Sequence, residues 1–138
     1  ENRLKRNGIS IVEYLNSEND YFFKKFNNSA NIVIIDAPCS GLGVIKRNPV
    51  AKWHMNPKRI EQLIGIQKQI LQKYAPLVKS RGNLVYATCS IFPNENQNQI
   101  KNFLKSNLGL AFRIEKEEVL LAHNTGGDGF YVVKLLRL

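Results

Sequence analysis

Two stretches of this 138-residue sequence place reactive side chains where apolar runs end: "IDAPCSGLGVIKRNP" at 35–49 and "NLVYATCSIFPNEN" at 83–96. In the first, Ile32–Ile35 runs into Asp36, Pro38 and Cys39. In the second, an apolar run ends on Cys89. These are the two cysteines of the chain, and each is followed by a serine. Four chemistries use such residues. Zinc takes four ligands, or three and a water, and neither His54 nor His123 has the spacing of a ligand pair. A disulfide needs an oxidising compartment, to which two cysteines in a chain this long do not point. Cysteine also serves as a small buried hydrophobe. Finally, a thiolate can act as a nucleophile through a covalent intermediate.

These groups need elements that bring them together. "NIVIID" is the continuous apolar run of a buried parallel strand, and "NLVYATC" is a second. "PKRIEQLIGIQKQILQKYAPLVK" carries one apolar stripe: Ile60, Leu63, Ile64, Ile70, Leu71, Tyr74, Leu77 and Val78 recur at helical spacing. Asn56 caps it and Pro57 suits its first turn. Pro93 opens another helix, with Ile100, Phe103 and Leu104 facing inward. "GLAFRIE" and "GFYVVKLLRL" read as an antiparallel edge pair. "GISIVEYL" reads as a short strand, and the Asn/Ser-rich stretch after it as a connection with a short helix. Strands separated by helices give a parallel α/β sheet. Ligands of such sheets bind beyond the carboxyl ends of the strands. Neighbouring strands lie about 5 Å apart, so Asp36, Cys39 and Cys89 are expected in one crevice, both thiols reduced.

The composition is that of one globular domain. Lys plus Arg is 20 against 11 Asp plus Glu, a net charge of +9. That excess favours a polyanion, nucleic acid before membrane. No segment approaches the ~20 apolar residues of a membrane span. The opening "ENRLKRNGIS" has no apolar core after its charges and is not a signal peptide. A cytoplasmic setting and no metal are expected.

The two cysteine stretches, "DAPCSGLGVIKRNP" and "YATCSIFPNENQNQI", resemble the fourth and sixth motifs of the RsmB/Nol1/Nop2/Sun family of RNA cytosine-5 methyltransferases. "GGDGFYVVKL" resembles that family's closing strand. Lys52–Trp53 followed by "QKQIL" looks most like the bacterial RsmB/Sun branch, which methylates small-subunit ribosomal RNA. The resemblance runs from about residue 30 to the end.

It implies a Rossmann-like class I methyltransferase sheet using S-adenosyl-L-methionine. Cys89 would attack carbon 6 of a cytosine, so that carbon 5 can take the methyl group. Cys39 would assist the elimination that frees the RNA. Asp36 would contact the cofactor, the base, or both. The base must be unstacked to reach the crevice. Lys46, Arg47 and Lys52, in the loop from Gly41 to Trp53, would meet RNA and can favour a thiolate through their field. Trp53 is expected to pack and not to stack on a base.

The family's Gly-rich cofactor loop after the first strand, and the acid ending the second, have no counterpart in the sequence. Val50 stands where the family carries an acid, and Asn94 where it carries a first Glu. Residues 1–138 therefore read as one partial catalytic domain, truncated on its N-terminal side, with little activity alone. The alternatives are the same chemistry on transfer RNA, a non-catalytic basic RNA-binding module, which has no need of both cysteines, and a structural or partner-binding fragment, which would bury the loop 41–56 against another chain. With its neighbours missing, the sheet is expected to have an open edge. Residues 9–15 pairing beside 31–36, a loosely ordered N-terminus, or an edge-strand dimer would each answer it, the first being favoured.

Overall fold

The computed structural model describes residues 20–138. Helix α1 (Asp20–Phe26) leads into β1 (Ala30–Asp36). After a loop and the short α2 (Ala51–His54) come the long α3 (Pro57–Tyr74) and β2 (Val78–Thr88). Then follow α4 (Gln97–Leu104), β3 (Phe112–Leu120), the single turn α5 (Ala122–Thr125) and β4 (Phe130–Arg137). Among the described residues the strands form one sheet in the order β1-β2-β4-β3. β1 and β2 are parallel. β4 runs antiparallel to both β2 and β3. The expected edge pair is therefore present, with a register shift between Ile114 and Lys116.

Helix α3 starts as its sequence dictates. The Asn56 Oδ1 accepts from the Arg59 N–H at 2.9 Å, and Pro57 occupies the first turn, where its missing N–H costs nothing. Its end falls earlier than the apolar stripe suggests. Pro76 cannot donate to Gln72 and its ring crowds the preceding turn, so the chain tightens into a 3-10 turn over Ala75–Leu77. Leu77 lies in that turn and Val78 opens β2. Both are buried, but they belong to the strand's approach and not to the helix.

One face of the sheet carries the core. Leu71 of α3 and Ile100 and Phe103 of α4 pack on Ile35, Leu84, Tyr86, Tyr131, Val133 and Leu135. Truncating a fully buried member such as Leu71 to Ala would cost about 2–5 kcal/mol. The guanidinium of Arg137 ties β4 to the start of β2, donating to the Pro76 carbonyl at 3.2 Å and to that of Val78.

β1 departs from the expected buried run. Ile35 is 5% exposed, whereas Ile32 and Ile34 are 57% and 71% exposed. Side chains alternate across a strand, and among the described residues only the face toward α3 and α4 is covered. β1 is also an edge of the described sheet. The strand read at "GISIVEYL", and its pairing beside residues 31–36, lie outside the described residues.

Candidate active site

β1 and β2 deliver their last residues to the same end because they are parallel and in register. Asp36 lies opposite Ala87, and the Ala37 N–H donates to the Ala87 carbonyl at 2.9 Å. Three residues past Asp36 comes Cys39; two past Ala87 comes Cys89. Their sulfurs are 3.3 Å apart, within hydrogen-bonding reach, and both thiols are free. Both are partly buried. Burial, and next the contact with the Cys89 side chain, push the Cys39 thiol up from 9.0 to about 12. Cys39 thus stays protonated at neutral pH and can donate its S–H toward the Cys89 sulfur.

Asp36 sits at this end too, exposed and without a side-chain hydrogen bond or ion pair among the described residues. Lys46, Arg47 and Lys52 are exposed on the loop beyond β1, and none of them bonds to either cysteine. Arg47 instead pairs with Asp128, so its charge is matched by the loop before β4. Lys52 Nζ lies 5.0 Å from the centre of the Trp53 ring. Trp53 is 77% exposed. The expectation that it packs is corrected: a short helix on the surface carries it away from the core.

Three loops meet at the thiols, and two glycines make the meeting possible. The Gly43 N–H donates to the Cys89 carbonyl at 2.9 Å, and the Gly129 N–H donates to the Gly43 carbonyl at 2.7 Å. A Cβ on Gly43 would stand 2.1 Å from the Gly129 oxygen and 2.7 Å from the Cys89 oxygen. The "PCSGLG", "TCS" and "GGDG" stretches are thereby stitched into one wall.

Beneath the wall lies a buried polar network that reading the motifs left unassigned. Glu95, at the end of the 3-10 turn Pro93–Glu95, is fully buried. One of its oxygens accepts from the Ser40 hydroxyl at 2.6 Å and from the Ser90 hydroxyl. The other accepts from the Ser40 N–H at 2.8 Å and from Gln67 Nε2 at 3.0 Å. Gln67 also donates to the Pro38 carbonyl at 2.9 Å. Thr88 Oγ1 donates to Asn96 Oδ1 at 2.5 Å, and Asn96 Nδ2 donates to the Ser90 carbonyl at 2.9 Å. The signal in the sequence was the serine after each cysteine and the "NEN" beyond the second.

With this geometry in hand, comparison with known proteins decides the family. The profile described as 16S rRNA methyltransferase RsmB/F matches residues 1–136. This chain is a member of that family. Ribosomal RNA small subunit methyltransferase B of Pectobacterium atrosepticum is 41% identical over 110 residues, which are 76% of this chain and 26% of that protein. Its namesake from Proteus mirabilis is 46% identical over 99 residues, 72% of this chain and 23% of its own length. The chain thus spans about a quarter of the length of these curated relatives. The crystal structure of PH0851 superposes with a TM-score of 0.86 at 30% identity, covering 97% of this chain and 33% of that one. NSun6 from Pyrococcus horikoshii, solved with SFG, has a TM-score of 0.74 at 22% identity, over 99% of this chain and 37% of its own. That likeness shows the fold, and the RsmB/F chain has the Rossmann-like α/β architecture its motifs implied.

Proposed function

We propose that this RsmB/F chain is the cysteine-bearing part of an enzyme that methylates carbon 5 of a cytosine in small-subunit ribosomal RNA. The observation that carries the reading is the pair of free thiols 3.3 Å apart at the carboxyl ends of adjacent parallel strands. Family membership supports ribosomal RNA as the substrate class, and the net charge of +9 suits a polyanion. Action in the cytoplasm, where ribosomal RNA and reduced thiols coexist, belongs to the same reading.

In this mechanism Cys89, its proton given to solvent, attacks as thiolate and its sulfur bonds to carbon 6 of a flipped cytosine; the electron pair displaced toward carbon 5 makes that atom nucleophilic. S-adenosyl-L-methionine, when bound, supplies the methyl group. Asp36 suits a contact to it or to the base, since its carboxylate is exposed at the strand end and unengaged. In the closing step carbon 5 gives its proton to solvent, the double bond re-forms, and the Cys89 sulfur leaves as thiolate. Cys39, held protonated by burial, donates its S–H to that departing sulfur and makes it a better leaving group. Lys46, Arg47 and Lys52 would meet the RNA backbone, Arg47 at the expense of its pairing with Asp128.

The test uses the full-length protein carrying this chain and a 16S-type RNA. Cys89→Ala should abolish methyl transfer. Cys39→Ala should accumulate a covalent protein–RNA adduct, visible as a shifted band, because addition proceeds and elimination stalls. An active Cys89→Ala variant together with no adduct from Cys39→Ala would overturn the assignment.

A further inference from the structure

We propose that Glu95 is a positioning residue that clamps the two cysteine loops to one another, setting the distance between the Cys39 and Cys89 thiols. The proposal deepens the reading above and rests on it for its catalytic meaning. Its geometry stands separately.

Each cysteine is held through the residues on both of its sides. For Cys39, the following residue Ser40 gives both its N–H and its hydroxyl to Glu95. The preceding residue Pro38 has its carbonyl held by Gln67, which also bonds to Glu95. Gln67 is fixed in turn by Gln99, whose Nε2 donates to Gln67 Oε1 at 3.1 Å. For Cys89, Ser90 gives its hydroxyl to Glu95, while Thr88 is held by Asn96. The two serine hydroxyls are 3.1 Å apart because they converge on the same carboxylate oxygen. One buried atom therefore ties a loop after β1 to a loop after β2, fifty residues apart in sequence.

The Glu95 backbone carbonyl accepts from the buried Tyr86 hydroxyl at 2.7 Å, while its carboxylate serves the two cysteine loops and Gln67. The residue is fully buried, and burying a carboxylate is costly before its partners compensate. Removing it alone would strand its four donors without an acceptor; only exchange of the whole network for apolar groups would serve stability as well. What an apolar residue could not do is accept from four donors on three segments of chain. A carboxylate, which only accepts, suits four donors. Glutamine would offer one accepting oxygen and one donating amide, so two of the four donors would lose their acceptor.

The experiment measures thiol-to-thiol geometry directly. The full-length protein is treated with diamide, an azo compound reduced to its hydrazine as two thiols lose their hydrogens and form one S–S bond. Closure of Cys39–Cys89 is followed by mass spectrometry of the linked peptides. Glu95→Gln should slow closure at least tenfold. The double variant Ser40→Ala, Ser90→Ala, which removes both hydroxyl arms and leaves Glu95, should do the same and covers the case in which Glu95→Gln does not fold. Leu135→Ala, which lowers stability in the core away from the network, should leave closure within twofold of the parent. In methyl transfer both network variants should lower kcat at least tenfold, with KM for S-adenosyl-L-methionine within twofold. Unchanged closure in the folded network variants, or equal slowing in Leu135→Ala, would overturn the clamp. Slowed closure in an enzyme whose product is not 5-methylcytosine would retire the reaction and leave the clamp standing.

Discussion

Cys39 is unusual because its surroundings hold it in the form opposite to that of a nucleophile. The thiolate is the reactive species, and its fraction falls tenfold for each unit by which the pKa lies above the pH. With the thiol raised from 9.0 to about 12, first by burial and then by the Cys89 contact, alkylation of Cys39 should be very slow at neutral pH. Its rate with iodoacetamide should keep climbing as pH passes 9 and level off only near 12. In Cys89→Ala the second cause is gone but burial, the larger one, remains. The midpoint should then drop and still stay above 9.0. A rate plot for Cys39 that levels off at or below pH 9 would remove the physical basis for its role as hydrogen donor. Its neighbour Asp36 needed no such environment to be picked out: a carboxylate at the end of an apolar strand is visible in the sequence alone.

At the scale of elements, the site depends on loops that approach one another more closely than side chains permit. Gly43→Ala would force a Cβ to within 2.1 Å of the Gly129 carbonyl oxygen, and backbone cannot swing aside as a side-chain tip can. The expected loss is at least the 1–3 kcal/mol typical of overpacking, roughly, read in urea unfolding. Gly65→Ala is the matched control. Its Cβ would meet nothing within 4 Å, and alanine in a helix interior should stabilise by about 0.5–1 kcal/mol. Equal effects from the two substitutions would show that the three loops do not meet as described. These elements were legible to different depths. The cap at Asn56 and the strands ending at Asp36 and Thr88 follow from local residue types, and so were readable. Apolar periodicity overruns the end of α3, continuing through Leu77 and Val78 although Pro76 has already ended the helix. The clamp was hidden because its members come from three separate segments. Glu95 reads as a surface acid in "FPNENQ", and Gln67 as a polar gap in a helical stripe. Only the fold shows that both face the same buried serines. Trp53 failed differently: tryptophan is buried on average, and nothing local marks this one as lying on a surface helix.

At the scale of the molecule, one side of the sheet is covered among the described residues and the other is not. α3 and α4 cover the face bearing Ile35, Leu84 and Leu135. On the opposite face Ile32 and Ile34 of β1 stand open to solvent, and β1 is an edge of the described sheet, with backbone groups on one side unpaired by any described strand. Such an edge, flat and apolar, is a template for another strand. The asymmetry predicts a contrast between adjacent residues. Ile35→Ala should cost about 2–5 kcal/mol in unfolding free energy, whereas Ile34→Ala should stay within roughly 0.5 kcal/mol. It also predicts how the 138-residue chain behaves when expressed alone. Two copies would bury their Ile32 and Ile34 pairs and pair the backbone groups that no described strand engages, while the net charge of +9 opposes their approach. Apolar burial at close range outweighs repulsion between surface charges once salt shortens its reach to about 8 Å at physiological ionic strength. Sedimentation velocity should therefore show concentration-dependent association that strengthens as salt is added. Ile32→Lys with Ile34→Lys should return the chain to a monomer whose thermal midpoint no longer depends on protein concentration. A parent chain that stays monomeric at all concentrations in high salt would mean that this edge is already covered.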